Sequence, residues 1–431
     1  MNSFTRASFT AFALVTIPGA AIHPAFIEAP PDRHFALLAC RTEGSIEEGD
    51  RTVKLNRAGL AAGVLVAVTA LAACSSSGSK SGGSSGPSSS AAGGTSGSSS
   101  AAAAATCSTG TLNGAGSTAQ TNAMTAWINS YTKDCSGAKI NYNPTGSGAG
   151  ISSFNANQVD FAGSDSALDP TKGEVAAAQK RCASTPLDLP MVVGPIAIAY
   201  KLNGVQKLVL TPDLIAKIFT GKITTWNDPA IKAQNSGTNL PSSKINVIYR
   251  SDSSGTTQNF ETYLAATAPS VFTAKPAKDN AQQVFAGQGK AKSQGVAAAI
   301  SSTEGSIGYD EYSFAVSGGL QTVSVDNGGG PVDVSKDTAS AAAGAAKVIG
   351  TGGDLSLKID YTTKVKDAYP LILVTYEVVC SKYSDAAKGT FVKNFLSYTV
   401  DGGQASLAQL GYAPLPSALQ AQVKASVAKI S

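Results

Sequence analysis

Arg250-Ser251-Asp252-Ser253-Ser254-Gly255-Thr256-Thr257 places a guanidinium, a row of hydroxyls and a glycine directly after the apolar run Val247-Ile248-Tyr249, with a helical pattern starting at Thr256. That combination can hold a tetrahedral oxyanion. A helix N-terminus exposes unpaired N–H groups at the positive end of its dipole, glycine lets an anion approach the backbone, and arginine adds a planar fork of donors. Taken alone, the segment reads more readily as a surface turn capping an ordinary helix.

Two further segments put small hydroxyl and glycine residues between an apolar run and a helical pattern: Gly114-Ala115-Gly116-Ser117-Thr118 and Gly146-Ser147-Gly148-Ala149-Gly150. After the first, Met124, Trp127, Ile128 and Tyr131 recur at the spacing of one buried helix face, which puts Ser117 and Thr118 where an N-cap belongs. Three helix N-termini can thus converge on one anion. Neither glycine segment makes a nucleotide loop, since no lysine follows as a P-loop requires and the spacing is weak evidence for a dinucleotide fold.

These residues resemble the phosphate-binding proteins of phosphate ABC transporters, receptors of the periplasmic-binding-protein type. The resemblance runs from about Leu112 to the C-terminus through six landmarks in order: Leu112-Asn113-Gly114-Ala115-Gly116-Ser117-Thr118, Val159-Asp160-Phe161-Ala162-Gly163-Ser164-Asp165, the run from Ile218 to Asp228, the arginine segment, Gly305-Ser306-Ile307-Gly308-Tyr309 and Tyr412-Ala413-Pro414-Leu415-Pro416. It implies that the anion is bound by the Thr118 hydroxyl and amide, the Ala119 amide, Ser147, Asp165, Arg250, Ser254 and the amides of Gly255 and Thr256. Ala119 stands where many relatives carry an aromatic residue, which keeps the backbone donor but changes the wall of the site.

Asp165 is the most diagnostic of these residues. A carboxylate among anion ligands repels the anion unless the anion brings a proton; monohydrogen phosphate does and sulfate does not. From local sequence alone Asp165 is equally a turn or capping residue ahead of Pro170, and Ser147 equally a cap. Asp252 lies close enough to orient Arg250 or to cap the helix, and the first reading is preferred. Trp226 and Tyr309 are assigned to core packing, with no ligand role.

Both histidines, His23 and His34, lie upstream of Cys74, where the mature chain is expected to begin. The mature chain then lacks the commonest general base and zinc ligand, which argues against a Ser-His-Asp hydrolase or a histidine metal site; no metal or cofactor is expected. Net charge is +4, and beyond residue 74 basic and acidic residues stand at 27 against 23 with no dense basic run, so nucleic-acid binding has little support.

Lys54 and Arg57 precede an apolar run over residues 58–73 that ends in Leu71-Ala72-Ala73-Cys74. A basic region, an apolar stretch too short to span a bilayer and a small-residue cleavage site resemble a bacterial lipoprotein signal over residues 53–73. The resemblance implies cleavage before Cys74 and lipidation of its thiol, holding the protein on the outer face of the cell membrane. Residues 1–52 fit neither signal nor fold and read as an extension from a start placed too early, with Val53 the expected first residue; the quartet Leu37-Leu38-Ala39-Cys40 lacks an uninterrupted apolar run before it. Residues 75–106 are almost entirely Ser, Gly, Ala and Thr, a flexible tether of roughly 30 Å root-mean-square reach.

Four cysteines remain, Cys107, Cys135, Cys182 and Cys380, and an even set in an exported chain suggests two disulfides. Three pairings are open. Cys107 just before the first strand and Cys135 between the first helix and the next strand fall at one edge of a parallel sheet, favouring Cys107–Cys135 and leaving Cys182–Cys380.

Short apolar runs at 140–142, 161–163 and 247–249 each precede a helical pattern, from Gly148, Pro170 and Thr256. The alternation predicts an α/β fold with mostly parallel strands and ligands at strand C-terminal ends. Two longer apolar stretches, 189–199 and 369–379, are candidate crossings between lobes. The resemblance implies a two-lobed fold, with residues 107–193 and 372–431 in the first lobe and 194–371 in the second, closing on the anion. Phe391, Phe395 and Tyr398 share one helical face and are read as core.

The expected function is binding of inorganic phosphate outside the membrane and delivery to the permease and ATPase of an ABC transporter. The competing reading is an extracellular phosphoryl-transfer or hydrolytic enzyme using Ser254 or Thr118, for which no histidine base is available. A surface adhesin that has kept the fold is a third, since fold does not fix function.

Overall fold

The computed structural model describes residues 105–431. The expected signal, Cys74, most of the tether and the N-terminal extension lie outside the described residues. Among those described, no helix is long and apolar enough to cross a membrane.

One nine-stranded sheet organises the fold. Its order runs Ala138–Pro144, Gly110–Gly116, Phe161–Ser164, Ile372–Cys380, Pro186–Lys201, Ser306–Glu311, Asn246–Arg250 and Gln288–Lys290, with Gln321–Thr322 pairing alongside the long strand. The wings are parallel: Gly110–Gly116 pairs in parallel with both its neighbours, and so does Asn246–Arg250. The two apolar stretches read as crossings are the central strands, and they run antiparallel to each other. Pro186–Lys201 spans 16 residues; its first part pairs with Ile372–Cys380 and its last six residues pair with Ser306–Glu311. It is apolar nearly throughout because both faces are covered by protein, the pattern of a fully buried strand.

The core divides at this strand. Val192 and Val193 pack in one cluster with Leu112, Trp127, Phe161, Val378 and Phe395, whereas Ile196 and Ile198 pack in another with Phe219, Trp226, Phe260 and Tyr309. Ala339, Ala342 and Ala343 of the helix Lys336–Ala343, with Leu355 and Ala368, return to the first cluster. The face predicted from Phe391 and Phe395 is buried, with Phe391, Phe395 and Tyr398 all set against the Tyr131 ring. Cys107 is bonded to Cys135 and Cys182 to Cys380, so the first link ties the chain's entry to the first helix and the second staples the helix Glu174–Cys182 to the end of a central strand.

The expected strand-to-helix junctions are present except the one at Pro170. The helices Thr121–Asp134, Ser147–Asn155 and Gly255–Thr267 follow Gly110–Gly116, Ala138–Pro144 and Asn246–Arg250. After Phe161–Ser164 only a 3-10 turn forms at Pro170–Lys172, and the α-helix starts at Glu174, because Gly173 takes a left-handed φ of 74° between them.

Candidate functional site

Asp165 follows directly on the strand Phe161–Ser164 and is only 2% exposed. Its carboxylate is ringed by hydroxyls. Ser117 and Thr375 donate to Oδ1, the latter at 2.9 Å, and Thr256 donates to Oδ2 at 2.9 Å with Ser147 at 3.4 Å. The Ser147 hydroxyl also accepts from the Asp165 amide at 3.2 Å, and Asn259 donates to the Asp165 carbonyl at 2.6 Å. Four hydroxyls from four segments therefore surround one carboxylate, with Ser147 the most distant of them.

Arg250, 1% exposed, ends the strand Asn246–Arg250 and points its guanidinium into the same cluster. Its Nε and one terminal nitrogen make a fork to Asp252 at 2.8 and 2.6 Å, and the other terminal nitrogen reaches the Thr256 and Ser293 hydroxyls at 3.5 and 3.4 Å. Burial works against the Arg250 charge, but the bonds and charge of Asp252 outweigh it and raise the guanidinium pKa. Burial likewise pushes Asp252 up, and Arg250 together with the Lys292 amide brings its carboxyl below the ordinary range. The preferred role of Asp252, orienting Arg250, agrees with this geometry.

Helix starts surround the cluster. Gly255 and Thr256 open the helix Gly255–Thr267, and its geometry leaves their N–H groups without an intrahelical acceptor. Gly255 is required: a Cβ there would lie 2.8 Å from the Asp165 Cβ and 2.9 Å from the Ser147 hydroxyl. Ser254 caps the helix, its hydroxyl accepting from the Thr257 amide at 3.2 Å. Ser147 opens the helix Ser147–Asn155, and Gly146 before it adopts a φ of 97°. The Thr118 hydroxyl meets Ser293 at 3.0 Å and accepts from the Ser293 amide at 3.2 Å. Ala119 lies at the same junction, but its amide is turned to the Ser117 hydroxyl at 3.1 Å.

The structure thus gathers Thr118, Ser147, Asp165, Arg250 and Thr256 in one buried polar cluster, with Gly255 against it; Ser254 and the Ala119 amide adjoin it and also make local hydrogen bonds. Ser293, Thr375 and Asn259 join the cluster although the sequence does not single them out. Tyr309, assigned to the core, is buried there and also takes part in the polar network. Its hydroxyl accepts from the Arg250 amide at 3.2 Å and pairs with Thr257 at 2.6 Å. The only trace of Thr375 in sequence is a polar residue inside an apolar run, two positions from another, Glu377, on an alternating strand.

The cluster offers one arginine already paired with a carboxylate, a second carboxylate, hydroxyls and helix N-termini. That set suits an oxyanion carrying a proton, bound mainly by dipoles and hydrogen bonds. Among the described residues no group of three or more His, Cys, Asp or Glu side chains is placed to hold a metal ion.

Residues 101–402 match the PBP superfamily domain. The chain is 44% identical over 325 residues to phosphate-binding protein PstS 3 of Mycobacterium tuberculosis, covering 74% of this chain and 87% of that protein. It is 32% identical over 317 residues to phosphate-binding protein PstS of Xylella fastidiosa, covering 73% and 84%. Among solved structures, a high affinity periplasmic phosphate-binding protein, PfluDING, bound with phosphate, superposes with a TM-score of 0.60 at 23% identity, covering 73% of this chain and 93% of that one, which bears on the fold alone.

Proposed function

We propose, from the premise that the chain belongs to the phosphate-binding proteins of the PBP superfamily, that it captures inorganic phosphate and hands it to the permease of an ABC transporter. The observation that carries this reading is the meeting of Arg250, Asp165, Thr118, Ser147 and Thr256 in one buried cluster at helix N-termini. In this account Thr118, Ala119, Ser147, Asp165, Arg250, Ser254, Gly255 and Thr256 contact the anion, and Asp252 fixes the Arg250 fork.

Residues 107–193 with 372–431, and 194–371, act as two lobes that close on the anion, although Ala339, Ala342, Ala343, Leu355 and Ala368 of the second pack on the core of the first. Bonds across that division support the reading: Ser293 to Thr118, Gly148 to the Ser253 carbonyl at 3.1 Å, and the Lys278–Glu174 ion pair at 2.8 Å, with Lys278 buried. A closed site excludes water from the charged groups and strengthens their hold on the anion.

The mature protein begins at a lipid-modified Cys74, is held on the outer face of a membrane, and reaches the permease on its tether. Mass spectrometry of membrane-extracted protein tests this part, and an unmodified N-terminus upstream of Cys74 refutes it. Calorimetric titration with phosphate alongside a phosphoesterase assay tests the function: heat of binding without turnover is expected, and turnover without binding refutes it.

A further inference from the structure

Ser293, absent from the expected ligand set, sits inside the site. It lies in the first turn of the helix Lys292–Ser302, is fully buried, and places its hydroxyl 3.0 Å from Thr118 Oγ1 and 3.4 Å from the Arg250 guanidinium. Behind it stands Asp310, 1% exposed, near the end of the strand Ser306–Glu311. Asp310 Oδ1 accepts from the Glu311 amide at 2.9 Å and Oδ2 has no hydrogen-bond partner, while the Ser293 hydroxyl is near enough to the carboxyl to favour its charged form. A buried carboxyl oxygen without a partner, on a residue beside a hydroxyl of the anion site, needs a reason.

We infer that Ser293 is a further anion-contacting residue and that the protonation state of Asp310 switches its hydrogen bond to the anion on and off. This rests on the phosphate-binding reading and names one more contact in that site. A serine hydroxyl has one hydrogen and two lone pairs. Arg250 donates to one lone pair. When Asp310 is protonated, it donates to the other, and the Ser293 hydrogen, which can also rest on Thr118 Oγ1 at 3.0 Å, turns outward to a bound anion. When Asp310 has released its proton to solvent, it only accepts; it takes the Ser293 hydrogen and leaves the remaining oxygen lone pair facing an anion.

The other charged and titratable groups around Asp310 are Arg250, Asp252 and Glu311, with Tyr309 beside it in the strand. Burial, opposed by Arg250 and Ser293, pushes the Asp310 carboxyl up to about 8. The anion favours protonated Asp310, so affinity is full below that value and falls as pH rises through it.

The test is calorimetry of the full chain with inorganic phosphate between about pH 7.5 and about pH 9.5, a range over which the dianion dominates. The wild type should lose affinity by about tenfold across it, the size of one hydrogen bond to a charged group. Asp310→Asn, whose amide donates to Ser293 at every pH, should hold its affinity within about twofold. Ser293→Ala should bind more weakly at the lower pH and also lose the pH dependence, and it carries the test if the asparagine variant does not fold. Glu311→Gln should keep the wild-type loss, which separates Asp310 from its neighbour. A wild type that binds phosphate with a flat profile, either of the Asp310 and Ser293 variants keeping the full loss, or a flat Glu311→Gln, overturns the switch and leaves the phosphate reading standing. Failure of the wild type to bind phosphate at any pH overturns both.

Discussion

Thr256 donates its hydroxyl to Asp165 Oδ2 at 2.9 Å, joining the first turn of the helix Gly255–Thr267 to the end of the strand Phe161–Ser164, 91 residues away in sequence. The same hydroxyl lies 3.5 Å from the Arg250 guanidinium. One threonine therefore stands between the cation and the carboxylate that the account assigns to the anion.

Arg250 is buried and charged, and Asp252 already claims two of its donors. Arg250→Ala strips the site of its fork and leaves Asp252 without its partner. Phosphate binding should weaken by roughly 2–5 kcal/mol, or about 30-fold to several thousand-fold. Arg250→Lys should recover only part, because a point charge does not reproduce a planar fork. Calorimetry checks both, and unchanged affinity in the alanine variant removes Arg250 from the site.

Asp165 discriminates in this account by accepting the proton of bound monohydrogen phosphate. Asp165→Asn removes the repulsion toward an unprotonated anion, and its amide can either donate or accept. Phosphate affinity should fall modestly, while the phosphate-over-sulfate ratio should drop at least about tenfold, or 1.4 kcal/mol. Equal discrimination by wild type and variant in competition titrations places selectivity elsewhere.

Glu377 is fully buried in a central strand, and neither of its carboxyl oxygens has a hydrogen-bond partner. Burial pushes it up to about 8, with Asp165 adding to the rise and Gln120 opposing it. In the unfolded chain a glutamate titrates near about 4.3, so the folded state holds a proton the unfolded state has released. The stability contribution is fully present below the unfolded value and is lost as pH rises through about 8. Glu377→Gln removes this dependence. Thermal melts from about pH 5 to about pH 9 should show the variant gaining on the wild type toward alkaline pH, by on the order of 1 kcal/mol or more; parallel curves contradict the assignment.

The helix starts at Ser147 and Gly255, the crossing strands and the buried face of Trp127 and Tyr131 are legible because each is announced within a dozen residues by glycine, hydroxyls or apolar periodicity. The two cysteine pairs follow from placing the strands. Ser293 and Thr375 are not legible, since their partners Thr118 and Asp165 lie 175 and 210 residues away and neither sits in a glycine segment. The sequence reading of Tyr309 as core is correct for its ring and incomplete for its hydroxyl, whose bond to the Arg250 amide depends on the pairing of two strands. Pro170 reads as the start of an α-helix, but Gly173 confines that turn to three residues.

The most direct measurement is a calorimetric titration of the wild-type chain with inorganic phosphate, repeated in the presence of excess sulfate. The account predicts saturable binding of one phosphate per chain that sulfate does not displace, because only an anion bearing a proton can satisfy Asp165 beside Arg250. The absence of phosphate binding, or its displacement by comparable concentrations of sulfate, would contradict it.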